Sequence, residues 1–198
     1  MKTSHPVLHV VRIVLSVLGV QAFTQAFASG MAPWHVIALV MTSPFFVMFG
    51  AAVLLGERVG MNRWIAAVIG FAGAMILLRP WESGFSSATL LPIAAAITWG
   101  GASLITKRLT MDEPQTSITM WLLVLLTPVN FLFSAQAGFE LPSGAILWLL
   151  LLGGATMYFA QHFLTLAYAS ADAAYVQPFD DLKLFSNILV SWLVLSFA

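Results

Sequence analysis

The sequence predicts an all-α membrane protein, a bundle of about seven transmembrane helices with almost no soluble part. Hydrophobic residues make up 60% of the 198 residues and charged residues only 8%, whereas soluble domains carry roughly 25% charged residues. The mean hydropathy is +0.94. A chain this poor in charge cannot cover a globule with a wetted surface, so we expect lipid to surround it.

Seven segments are apolar for long enough to cross the hydrocarbon core, which takes roughly 20 residues in a helix. We predict spans at about 7–28, 34–55, 62–79, 87–106, 117–136, 144–168 and 173–196. The breaks between them carry turn or charge signals, such as Ser29-Gly30, Glu57-Arg58 and Ser170-Ala171-Asp172. Runs this long and continuously apolar do not fit the alternating strands of a membrane barrel.

Basic residues orient the bundle, because cytoplasmic loops carry an excess of Lys and Arg. A cytoplasmic N-terminus would place six of them inside, namely Lys2, Arg12, Arg58, Arg63, Lys107 and Arg108. The outside loops would then hold Arg79 alone. We therefore predict a multi-pass inner-membrane protein whose C-terminus, after an odd number of spans, is periplasmic.

Small residues predict how the third span packs. Ala66, Gly70 and Ala74 recur at four-residue steps along one helix face. Such spacing lets helix backbones approach closely in lipid. The alternative is an accident of an alanine-rich composition.

Several function classes find no support in the sequence. The formal net charge is zero, and a nucleic-acid partner would require a basic stripe. The chain has no cysteine, which excludes disulfides and thiolate chemistry. It has no phosphate loop, nucleophile elbow or histidine pair at metal spacing, so we expect neither an enzyme nor a cofactor. Asp112-Glu113 is expected to form a solvated acidic turn.

Three charged residues lie inside the last predicted span, where each costs at least about 2.5–3.5 kcal/mol on insertion scales. Asp180 and Lys183 are three residues apart and can form an ion pair on one helix face. Asp181 points roughly 100° away and could bind a substrate cation or a coupling proton. The alternative is that all three extend to the cytoplasmic interface.

Two prolines occupy similar places in two spans, Pro44 before Phe45 and Pro178 before Phe179. A proline inside a helix removes a backbone donor and clashes with the preceding turn. Transporter sites are often built from such interrupted helices at corresponding places in two repeats. The alternative is that proline is simply common in membrane helices.

Polar side chains also lie in the middle of the sixth predicted span. Gln161 and His162 are adjacent, and Tyr158 lies one turn before His162. Polar groups at this depth should face the bundle interior, where they could line a cavity. They could instead bridge helices, which is worth only about 0.6 kcal/mol per contact.

A longer pattern links these features to a known family. Its first part comprises Ser43-Pro44-Phe45-Phe46, Leu54 to Gly60 with its Leu-Gly-Glu-Arg turn, Trp64 to Gly70, Gly73 and Leu77-Leu78-Arg79-Pro80. Its second part comprises Ala167-Tyr168, Ala171-Asp172-Ala173 and Pro178-Phe179-Asp180. The sequence thus resembles the EamA-type branch of the drug/metabolite transporter superfamily (DMT) over nearly its whole length.

The resemblance implies ten helices arranged as two inverted repeats of five. On that plan the seven spans are helices three to nine, and the chain is truncated at both ends. Residues 1–80 would hold the last three helices of the first repeat, and residues 81–198 the first four of the second. The matching glutamate, Glu57, marks a helix turn and could simply be solvated.

The resemblance also implies a secondary transporter that moves a small organic metabolite through a central cavity by alternating access. The candidate cavity-lining residues are Trp99, Tyr158, Gln161, His162, Tyr175, Asp180 and Asp181. We expect a small-molecule substrate and the lipid bilayer as partners, and also a homo-oligomer. The alternative is a non-transporting truncated bundle that covers its polar faces by assembling with another copy or partner.

Overall fold

The computed structural model of the protein describes residues 3–31, 33–78, 87–136 and 142–180, and all regular structure in these ranges is helical. The helices are α1 (Pro6–Ala28), α2 (Pro33–Val40), α3 (Ser43–Leu54), α4 (Met61–Leu78), α5 (Leu90–Leu109), α6 (Gln115–Gln136), α7 (Ala145–Ser170) and α8 (Ala173–Asp180). A short 3-10 turn, Ser87–Thr89, precedes α5.

The predicted fold class, a polytopic helical membrane bundle, is confirmed. Five helical segments are long and apolar enough to cross a membrane, namely Pro6–Ala28, His35–Leu54, Ser87–Leu109, Gln115–Gln136 and Ile146–Ser170. The predicted helix ends agree with the described ones to within a few residues. The seventh predicted span is described only as far as Asp180, and its remainder lies outside the described residues.

The second span is interrupted between α2 and α3. The main-chain N–H of Thr42 donates to Leu39 O at 3.1 Å, and its hydroxyl donates to the same oxygen at 2.6 Å. Pro44 follows in the first turn of α3, where its missing N–H costs least. Pro178 instead lies inside α8. It cannot donate to the carbonyl four residues earlier.

Helix α5 is the central element, since it packs along α1 and also contacts α2, α3, α7 and α8. Glycines allow these close approaches. A Cβ added to Gly19 would overlap the Trp99 indole, and one added to Gly50 would overlap Leu104. Close approach of helix backbones at small residues therefore occurs where α5 meets α1 and α3.

The predicted packing face of α4 is wrong for the described part of the chain. A Cβ added to Gly70 would have no atom within 4 Å apart from the backbone of its own helix, and Ala66 is exposed. Helix α4 instead packs against the core through Trp64 and Ala67. The Trp64 ring meets Phe45 of α3 edge to face, with ring centroids 6.1 Å apart, a specific contact that the small residues cannot make.

Candidate functional site

One face of α7 is polar and turns toward the interior of the bundle. It consists of Tyr158, Gln161, His162, Thr165 and Tyr168, which recur at three- and four-residue steps. The first three are half-buried, whereas Thr165 and Tyr168 are each only 1% exposed. The face is therefore partly open in the middle of α7 and closed toward the C-terminal end of the helix.

The rings of Tyr158 and His162 are nearly parallel, with an interplanar angle of 6° and centroids 5.9 Å apart. The Nδ1 atom of His162 is buried and has no hydrogen-bond partner among the described residues. Leaving a buried polar atom unpaired costs about 1–3 kcal/mol. A ligand that hydrogen-bonds to Nδ1 would recover this free energy, which makes His162 the strongest candidate binding residue.

Trp99 lies in the middle of α5, half-buried against α1. Its indole ring is 5.3 Å from the ring centroid of Phe23. At about 1.5 Å of rise per residue, Trp99 is about 15 Å from the end of α5, and His162 is about 12 Å from the end of α7. The structure therefore places Trp99 at a depth similar to that of the Tyr158–His162 pair.

Tyr175 occupies a different level. It is the third residue of α8 and is 50% exposed. The Arg63 guanidinium lies 5.3 Å from the centroid of its ring. The Phe179 ring is also 5.3 Å away. Tyr175 thus lies near the end of the bundle, separated along the helix axes from the candidates in the middle.

The remaining candidates are described only in part. Asp180 is the last described residue of α8, while Asp181 and Lys183 lie outside the described residues. The predicted Asp180–Lys183 ion pair therefore remains a prediction.

Glu57 has a structural role at the end of α3, and the alternative that it is simply solvated is wrong. Its carboxylate accepts the main-chain N–H of Ala173 at 2.9 Å and that of Ala174 at 3.2 Å. These two N–H groups lie in the first turn of α8 and have no partner within the helix. Gly56 reverses the chain just before Glu57 with a φ of +68°, a conformation that glycine adopts without strain.

Lys107 caps the neighbouring helix end. Its ammonium group donates to Tyr168 O at 2.9 Å and to Ala171 O at 2.8 Å. A cation is favourable at a helix C-terminus, where carbonyl groups lack partners. The junction between α7 and α8 is consequently held by a carboxylate on one side and an ammonium on the other.

Glu113 is buried at the start of α1, which corrects the expectation of a solvated acidic turn. Its Oε1 accepts hydrogen bonds from Thr3 Oγ1 at 2.6 Å and from the main-chain N–H groups of Ser4 and His5 at 3.0 and 3.2 Å. Its Oε2 lies 2.9 Å from Nε2 of His9, which is only 2% exposed. Asp112 beside it is partly exposed, as expected.

Hydrogen bonding determines the charge state of Glu113. Burial by itself would raise the pKa of this carboxyl group. Hydrogen bonds from Thr3, His9 and Ser4 outweigh burial and lower the pKa to about 2, because they favour the ionised form. Glu113 is therefore a carboxylate at any physiological pH.

We call the end of the bundle that contains Glu57, Lys107 and Glu113 the capped end. Four of the five described acidic residues belong to it, namely Glu57, Asp112, Glu113 and Asp172. The fifth is Asp180. Apart from Asp180, the described residues at the depth of His162 and Trp99 carry no acidic group.

No protein-family model matches the sequence, and no solved structure matches it significantly. A riboflavin transporter from Brucella anthropi is 42% identical, over 100% of the chain and 71% of that relative. The chain belongs to the EamA-like drug/metabolite transporter superfamily. The riboflavin transporter of Rhizobium johnstonii is 55% identical to this EamA-like chain, over 100% of the chain and 65% of the relative.

A more distant relative is named for another substrate. The S-adenosylmethionine uptake transporter of Rickettsia felis is 27% identical, over 99% of the chain and 66% of that relative. These relatives are transporters and not enzymes, which confirms that prediction. The EamA-like chain spans 65% of the length of the Rhizobium relative.

Sequence reasoning about this EamA-like chain missed the two helix caps. Glu57 is separated from Ala173 by 116 residues and Lys107 from Tyr168 by 61. A hydropathy profile gives no signal for pairing over such distances. The local signals were the Gly56-Glu57 pair and a lysine in the last turn of α5, since glycine and basic residues are typical of helix C-termini.

Proposed function

We propose that this chain forms part of the translocation path of a secondary transporter for riboflavin or a closely related neutral heteroaromatic metabolite. The 55% identity to a riboflavin transporter over the whole chain supports this substrate class. The structural observation that carries the proposal is the unpaired, buried Nδ1 of His162 beside a nearly parallel tyrosine ring.

A flat heteroaromatic ring suits such a site for two reasons. Its face can pack on the half-buried ring of Tyr158, since aromatic pairs gain about 0.5–1.5 kcal/mol beyond area burial. We assign Trp99, at similar depth on α5, to the same path. The nitrogen and oxygen edge of the heteroaromatic ring can pair with His162 Nδ1 and the Gln161 amide. Small-molecule sites typically combine apolar walls with a few well-placed polar groups in this way.

Charge favours a neutral substrate over a cationic one. S-adenosylmethionine, the named substrate of the Rickettsia relative, carries a sulfonium cation that would need a nearby carboxylate. Glu57 and Glu113 are both engaged in capping helix N-termini. In the proposed path Asp180 pairs with Lys183 and Asp181 serves ion coupling, which leaves neither carboxylate for a substrate cation. Tyr175 lines the path near the capped end, and Pro44 and Pro178 mark its helix breaks.

The proposal includes the orientation of the chain in the inner membrane. We place the capped end in the cytoplasm and the C-terminus in the periplasm, because Arg58, Arg63, Lys107 and Arg108 all lie at or near the capped end and basic residues favour the cytoplasmic side. Residues 1–80 and 81–198 would then belong to two repeats that move against each other during alternating access. A homo-oligomer would bury the apolar outer face of α7, where Trp148, Leu152 and Phe159 are exposed.

Flux of radiolabelled riboflavin into proteoliposomes that contain the 198-residue chain tests the proposal. We expect saturable flux that unlabelled riboflavin suppresses and S-adenosylmethionine does not. His162→Phe keeps an aromatic ring but removes both nitrogens, so it should lower the flux about tenfold or more, as expected for loss of one hydrogen bond to a buried group. Trp148→Phe is the matched control, because it likewise removes a ring nitrogen while keeping an aromatic ring, and Trp148 is 74% exposed on the same helix.

Two results would contradict this function. Absence of riboflavin flux from well-folded, reconstituted protein would favour the non-transporting bundle. Unchanged flux in His162→Phe would be compatible with transport but would show that His162 does not contact the substrate.

A further inference from the structure

The capped end of the bundle is sealed by a continuous apolar cluster. It combines residues of α3, α5, α7 and α8, namely Val47, Met48, Ala51, Leu104, Tyr168, Ala173, Ala174 and Val176. The Tyr168 hydroxyl donates to Gln177 Oε1 at 2.7 Å within it. The cluster lies directly beyond Thr165 on the polar face of α7. A solute at the depth of His162 is therefore closed off from this end.

The two charged caps at this seal differ in what they connect. Lys107 joins α5 to the end of α7, and both helices fall in the 81–198 half of the chain. Glu57 belongs to the 1–80 half, and its carboxylate binds the first turn of α8 in the other half. Relative movement of the halves would leave the Lys107 contacts intact. It would have to break those of Glu57 at this seal, and it would also strain those of Glu113 with Thr3 and His9 at the start of α1.

The two hydrogen bonds of Glu57 are strong enough to stabilise the contact between the halves, yet they can break when α8 moves away. Each carboxylate oxygen accepts one main-chain N–H, and the negative charge lies at the positive end of a helix dipole. Hydrogen bonds to charged groups are among the stronger ones in proteins. Glu57 is half-exposed, so water can replace both N–H donors when the helix end moves away.

We propose that Glu57 is the latch of the inner gate, and that opening toward the capped end requires its carboxylate to leave the N-terminus of α8. This inference rests on the proposed alternating-access function, but it concerns the gate rather than the substrate. The latch holds the seal closed because it ties the first turn of α8, with Ala173 and Ala174, to α3, whose Val47, Met48 and Ala51 form the other side of the cluster. Lys107 keeps α7 in register with α5 in both states.

The absence of cysteine from the chain permits a direct test. A single reporter, Thr165→Cys, lies just inside the seal and replaces a residue that is 1% exposed. Its reaction with a membrane-impermeant thiol reagent is followed in inside-out vesicles, where the reagent meets the proposed cytoplasmic face. With Glu57 intact the reporter should react slowly.

Glu57→Gln removes the charge while keeping the side-chain shape. It should accelerate labelling about tenfold, the effect expected for weakening charge-assisted hydrogen bonds. Glu57→Asp keeps the charge on a shorter side chain and should give an intermediate rate. Arg58→Gln is the matched control, since Arg58 is the adjacent exposed charge, and it should change the rate less than twofold.

Lys107→Met distinguishes an effect on the gate from a general loss of thermal stability. It should lower the melting temperature of the purified protein without a comparable increase in labelling. Equal acceleration by Lys107→Met and Glu57→Gln would overturn the proposal, as would a labelling rate that Glu57→Gln leaves unchanged. The labelling rate is measured without substrate, so it tests the latch even if the chain shows no riboflavin flux.

Discussion

Neutralising Glu113 should destabilise the protein and remove much of its acid sensitivity. Five hydrogen-bonding contacts converge on this carboxylate from the segment that begins α1. The structure lowers the pKa of Glu113 from 4.5 to about 2. Each tenfold change in proton affinity is worth about 1.36 kcal/mol, so the carboxylate contributes up to about 3 kcal/mol to the free energy of unfolding.

The sign of the pH effect follows from the direction of the pKa change. A depressed pKa means that the unfolded chain binds the proton more tightly than the folded protein does. The stabilisation is therefore complete above about pH 4.5 and is lost as the pH falls from 4.5 toward 2. Glu113→Gln should lack this contribution at every pH.

Thermal unfolding in detergent, followed by tryptophan fluorescence between pH 7 and pH 3, measures the effect. The difference in melting temperature between wild type and Glu113→Gln should be several degrees at pH 7, at about 2–4 °C per kcal/mol, and should shrink below pH 4.5. Asp112→Asn is the control, because its side chain is 39% exposed in ion pairs with His5 and Arg108 and surface pairs contribute about 0–1 kcal/mol. A pH-independent difference, or an equal loss in the control, would refute the reasoning.

Two further predictions concern packing and the last span. Gly19→Ala should lower the melting temperature and alter tryptophan fluorescence, because its methyl group would overlap the Trp99 ring and overpacking costs about 1–3 kcal/mol. The control Gly70→Ala, at an open position of α4, should be neutral or stabilising. Similar losses of melting temperature in both variants would argue against the described α1–α5 contact. Asp181→Asn should abolish riboflavin flux, whereas Asp180→Asn should mainly lower expression. Equally mild effects of both variants on flux would contradict the proposal that Asp181 couples transport to an ion while Asp180 is structural.

The helices and their approximate limits were predictable because hydropathy is a local property. A segment such as Ala145–Ser170 is long and apolar whatever surrounds it, and lipid requires such a segment to satisfy its own backbone hydrogen bonds. Pro44 indicated an interruption of the second span, although the break between α2 and α3 lies at Met41 and Thr42.

The site was predictable only where it follows helix periodicity. Tyr158, Gln161 and His162 share one face because of their spacing, and the structure turns this face inward. Tyr168, by contrast, gains its role from Gln177, which belongs to the next helix. Within the described part of the chain the prediction for α4 failed, because small residues permit a close approach but do not select which neighbour makes it.

By itself the sequence determined that this chain is a bundle of membrane-spanning helices with a polar face in the middle of α7. Only the tertiary structure decided that Glu57 and Lys107 meet at the junction of α7 and α8 and that Glu113 is buried against the start of α1. The physical reason is that transfer from water to lipid depends on the composition of each segment, whereas a charge at a helix end is stabilised by whichever unpaired backbone groups the fold brings to it.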